Sequence, residues 1–168
     1  MRKFIGLASA SLIAFGAVLA GAAGAASADP HHPGDRGPRG PQRPIANVQI
    51  AAIQYDSPGR DTGTNASRNA EWISLVNNGR RAVNLRGYTI SDRANHVYRF
   101  GNVWIQGDGG RLVVHTGFGQ DEGRQLFWDS RSYIWNNNGD TATLSGPRGR
   151  TLDSCTYRER AGRSRVIC

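Results

Sequence analysis

Glu71-Trp72-Ile73-Ser74-Leu75-Val76 runs into the turn residues Asn77-Asn78-Gly79, and Ala82-Val83-Asn84-Leu85-Arg86-Gly87-Tyr88-Thr89-Ile90-Ser91-Asp92 follows a few residues later. In an extended chain, residues two apart share a face. Ile73 and Leu75 therefore point one way, and Trp72 and Val76 the other. A strand apolar on both faces is covered, at least in part, on each side. Val83-Asn84-Leu85-Arg86-Gly87 alternates a buried pair with exposed polar groups, and Gly87 permits a bend before Tyr88. Asn-Gly pairs tolerate φ > 0 and close tight turns. These residues spell strand, turn, strand.

The same grammar extends in both directions. Val48–Tyr55, Glu71–Val76, Tyr88–Ser91, Val97–Phe100, Arg111–Thr116, Thr141–Ser145 and Arg150–Tyr157 are strand-length and rich in β-branched or aromatic residues. Between them lie Gly107-Asp108-Gly109-Gly110, Asn138-Gly139-Asp140 and Gly146-Pro147-Arg148-Gly149. Asp140 stands just before a strand, where a carboxylate can cap backbone N–H groups. No window beyond residue 28 shows the spacing of an amphipathic helix. The expectation is an all-β sandwich or barrel. The tryptophans Trp72, Trp104, Trp128 and Trp135 could form a carbohydrate platform but read rather as fillers of sandwich cores and edges, with Trp128 and Trp135, in the least regular segment, the better candidates for exposure.

The chain has 168 residues, enough for one domain of ordinary size, and a formal charge of +8. Met1–Ala28 reads as a secretory signal: Arg2 and Lys3 precede an apolar run, and Ala26-Ser27-Ala28 forms a cleavage site that leaves Asp29 first. Asp29–Pro44 carries five prolines and three glycines and reads as a disordered linker. The domain is expected over 45–157 and an arginine-rich tail over 158–168. Cys155 and Cys168, the two cysteines, are expected to pair in an exported product. Two lone cysteines do not make a structural zinc site. Residues 1–28 carry +2, 29–44 carry +1, 45–155 carry +2 and 156–168 carry +3. The domain itself is nearly balanced, and the excess sits at its end.

Taken in order, several stretches resemble the lamin-tail domain, an immunoglobulin-like β-sandwich. They are Glu71-Trp72-Ile73, Asn77-Asn78-Gly79, Ala82–Asp92, Tyr98-Arg99-Phe100, Leu112–Gly117, Trp135–Leu144 and Leu152-Asp153. The resemblance covers about Val48 to Tyr157 and implies a fold with a binding or tethering tendency, since the family has no shared catalytic residues. It looks like the short exported bacterial type. No heptad-bearing rod accompanies the domain, so filament assembly is not implied.

Candidate chemistry is sparse in the rest of the chain. Ser91, Asp92, His96 and His115 could be imagined as a hydrolase apparatus, but no G-x-S-x-G elbow accompanies them, and His115 reads as a satisfied strand residue. Asp56, Asp61 and Asn65, with Glu71 beyond, offer hard oxygens of the kind calcium prefers, although Arg60 sits among them and no EF-hand pattern is present. A polar turn is the expectation there. No catalytic, cofactor or metal residues are assigned. The leading expectation is a secreted, non-enzymatic binding or tethering module whose protein or cell-surface ligand the sequence does not name. The alternatives are a nucleic-acid or other polyanion binder acting through Arg158, Arg160, Arg163 and Arg165, and an undetected secreted hydrolase.

Overall fold

The computed structural model describes residues 47–168; the signal segment, its cleavage point between Ala28 and Asp29 and the linker lie outside them. Within this span the chain forms eleven strands and one short helix in two packed sheets with a small third ribbon. The first sheet has the order β11 (Arg165–Ile167), β1 (Val48–Gln54), β2 (Trp72–Asn77), β7 (Gly110–His115) and β8 (Gln125–Phe127). The second has β10 (Thr151–Arg158), β9 (Gly139–Ser145), β4 (Thr89–Ser91) and β5 (Val97–Arg99). β3 (Val83–Asn84) and β6 (Trp104–Ile105) pair as the ribbon. All neighbours are antiparallel except β7 and β8. Among the described residues no helix is long and apolar enough to cross a membrane. The fold is an all-β, immunoglobulin-like sandwich.

The core lies between the sheets. Ile53, Ile73, Leu75, Leu112 and Val114 from the first sheet meet Ile90, Ala142, Leu144 and Tyr157 from the second, and all are buried. Each Ile, Leu or Val side chain among them contributes roughly 1.5–3 kcal/mol by leaving water. A bulge lets β1 participate along its whole length. Simple alternation would place Ile50 and Ile53 on opposite faces, but the register of β1 on β2 shifts between Ile50 and Ala52. The extra residue, Ala51, keeps Val48, Ile50, Ile53 and Tyr55 all inward.

The turns only partly follow the expected chemistry. Gly87 adopts φ +80°, the bend anticipated before Tyr88, and Gly139 adopts φ +127°. Neither Asn78 nor Gly79 has positive φ. Their turn is held instead by the buried Asn77, whose Oδ1 accepts from the Gly79 N–H at 3.0 Å and whose Nδ2 donates to the Arg81 carbonyl at 2.8 Å. Asp140 caps as expected: it is buried and accepts from the backbone N–H groups of Thr141, Arg93 and Asn136, and from Asn136 Nδ2. The helix α1 (Asn65–Asn69) presents no buried side chain and starts at Thr64, whose hydroxyl accepts from Ser67 N–H.

Two expectations about placement are corrected. Trp135 is 2% exposed and fills the core, edge-on to Trp128, whereas Trp104 is 55% exposed on the two-residue β6. Irregular backbone around Trp135 concealed a side chain that points inward. The segment beyond Tyr157 is also more ordered than a tail: β10 runs on to Arg158, and Arg165–Ile167 is an edge strand of the first sheet.

Candidate functional site

The C-terminal arginines are held by a closed loop of chain. β10 leaves the second sheet at Arg158, the chain turns with Arg163 N–H bonded to the Arg160 carbonyl, and β11 returns along β1. Cys155 and Cys168 close the loop through a disulfide with Cα atoms 5.7 Å apart. Because Cys155 belongs to one sheet and Cys168 follows the edge of the other, the bond staples the two layers.

The floor is aromatic and buried. Tyr55 and Tyr157 stack with ring centroids 4.3 Å apart, and the Tyr55 hydroxyl donates to the Arg163 carbonyl at 2.7 Å. Burial, with Asp140 nearby, raises the Tyr157 phenol above its ordinary range, so it stays protonated. The Ser164 carbonyl accepts from Tyr55 N–H, Asp56 N–H and Gln54 Nε2. These bonds fix the turn against β1 without using any guanidinium.

The result is a groove of about 1060 Å³ lined by Arg158, Arg160, Arg163 and Arg165, with Glu159 as its one acid. All four arginines are exposed. Among the described residues the single ion pair is His96 with Asp92, so no carboxylate lies within 4 Å of a groove guanidinium. An arginine left without a carboxylate keeps its fork of donors available for an anion.

The other candidate residues do not assemble. Ser91, Asp92 and His96 lie on the β4–β5 hairpin of the second sheet, where His96 Nδ1 is 2.6 Å from buried Asp92. His115 lies on β7 of the first sheet, with Nδ1 2.7 Å from the Asn69 carbonyl and Nε2 2.7 Å from Gln125 Oε1. Asp56 and Asp61 both accept from Asn137 Nδ2, while Asn65 bonds the backbone of Phe118. Among the described residues no three His, Cys, Asp or Glu side chains gather around a common point.

Glu71, considered as an outlying calcium oxygen, is instead buried at 1% exposure. Its Oε1 accepts from Thr116 Oγ1 at 2.7 Å, Ile134 N–H at 2.8 Å and Trp135 N–H at 3.2 Å. Burial pushes its carboxyl up to about 7, although those three bonds favour the charged form. The signal was present in the alternation: Glu71, Ile73 and Leu75 share a face, and that face is the core.

The geometry is that of a two-sheet sandwich stapled at one edge, with four arginines gathered on the groove beside the staple. The Lamin Tail Domain family matches residues 41–159, and the chain belongs to that family. No curated protein matches it. The match ends at residue 159, so β11 and three of the four groove arginines lie outside it.

Proposed function

We propose that this is an exported, non-enzymatic binding or tethering domain that takes an anionic ligand in the arginine groove. The supporting observation is the set of four exposed arginines with no carboxylate partner among the described residues. The export signal and the family's lack of shared catalytic residues agree with a protein that binds rather than turns over its ligand.

The test uses protein produced from the full-length chain in a secreting host, applied to immobilised heparin and duplex DNA. If all four arginines contact anionic groups, binding to DNA should fall about 100-fold between 50 and 200 mM salt. The Arg158→Ser, Arg160→Ser, Arg163→Ser, Arg165→Ser variant should lose retention on both resins. Retention that survives the four substitutions sinks the assignment of the groove.

A further inference from the structure

We infer that the occupant of the groove is an extended acidic polypeptide that adds as a strand to the free edge of β11, a conclusion that rests on the anionic-groove reading. The argument starts from the register. β11 pairs antiparallel with β1 through Ile167 opposite Ala52, Val166 opposite Ile53 and Arg165 opposite Gln54. Just outside that ladder, Tyr55 N–H bonds the Ser164 carbonyl and Cys168 N–H bonds the Ala51 carbonyl. Antiparallel pairs alternate between residues that exchange both bonds and residues that exchange none. Residues 164, 166 and 168 therefore spend their backbone groups on β1, while Arg165 and Ile167 turn both N–H and C=O away from it.

The opposite wall follows the same phase. Glu159 N–H bonds the Asn138 carbonyl, so Tyr157 and Cys155 face β9, and Thr156 and Arg158 turn their backbone groups toward the open edge. Thr156, Arg158, Arg165 and Ile167 all line the one groove. Among the described residues it is thus flanked by two unpaired strand edges, a template for an incoming strand.

Side chains select the partner. Arg165 and Ile167 lie two apart on the same side of β11, opposite Val166, which packs on the core; Ile167 is 70% exposed. A strand laid beside them meets a cation and then an apolar group, and the remaining arginines surround its path. Charge complementarity calls for a segment alternating acidic and apolar residues. Single-stranded nucleic acid fits less well, because sequence-tolerant binding of that kind uses exposed rings for base stacking, and both groove tyrosines are buried against each other.

The test is calorimetric titration of the secreted full-chain product with an alternating Glu-Val octapeptide. The same peptide N-methylated at every second amide, in each of the two frames, and an oligothymidine of equal charge are run beside it. Amide exchange is followed on Arg165, Val166 and Ile167. The expected result is at least tenfold weaker binding for one methylated frame, with slowed exchange at Arg165 and Ile167 and none at the already bonded Val166. Equal binding by all three peptides with unchanged exchange overturns strand addition and leaves the anionic groove standing. Tighter binding of the oligothymidine overturns the peptide assignment alone. Failure of every probe to bind overturns both readings.

Discussion

Replacing Glu71 by Gln should abolish a specific part of the pH dependence of stability. The buried carboxyl has no cation beside it among the described residues, and desolvation lifts it from 4.5 to about 7. Between those values the folded state holds a proton that the unfolded chain has released. Stability must then fall as pH rises from 4.5 to about 7, and level off above. At about 1.4 kcal/mol per pH unit, the ionised group costs the native state on the order of 3 kcal/mol. Gln keeps the one oxygen that accepts from Thr116, Ile134 and Trp135, and it does not ionise. Urea midpoints of the two proteins should agree near pH 4 and diverge to about 3 kcal/mol in favour of the Glu71→Gln variant at pH 8. Taking the difference between them cancels the titration of every other group. If the two stability curves run parallel from pH 4 to pH 8, the claim that Glu71 carries this dependence is wrong.

Other substitutions test the scaffold. Exchanging both Cys155 and Cys168 for Ser should lower stability by about 3 kcal/mol through the reopened loop, read from urea unfolding under non-reducing conditions. Asp140→Ala strips the acceptor from three backbone N–H groups and an amide, and should cost about 3 kcal/mol by thermal melting. Trp135→Ala should cost about 4 kcal/mol, whereas Trp104→Ala should stay within about 0.5; equal losses would contradict their placement. Acrylamide should quench Trp104 fluorescence in a variant retaining only that tryptophan far more than Trp135 in the reciprocal one.

Legibility followed the physics of burial. Thr141–Ser145 could be read because one face is hydroxyl and the other Ala142 and Leu144, and the structure buries both. β6 and β8 escaped notice because two or three residues carry too little alternation, and α1 escaped because five residues without an apolar face leave no periodic trace. The arginines of the C-terminal segment stood out by composition alone. Their strand did not, since Arg165-Val166-Ile167 is recognisable as an edge only once Val166 has a core to pack on. Glu71 has a carboxylate's chemistry but a core residue's parity, since it shares a face with Ile73 and Leu75, and that parity places it inside.

The staple between the sheets also decides how the domain bears load. A pull on the chain at Cys168 does not travel through β11, whose ladder with β1 spans three residue pairs. The sulfur bridge diverts it to Cys155, in the middle of β10, which is laced to β9 over seven pairs. Tension is then shared as shear along the longest ladder of the second sheet, and β11 hangs slack beside the load path. A domain built this way can be stretched at Cys168 without β11 being peeled from β1.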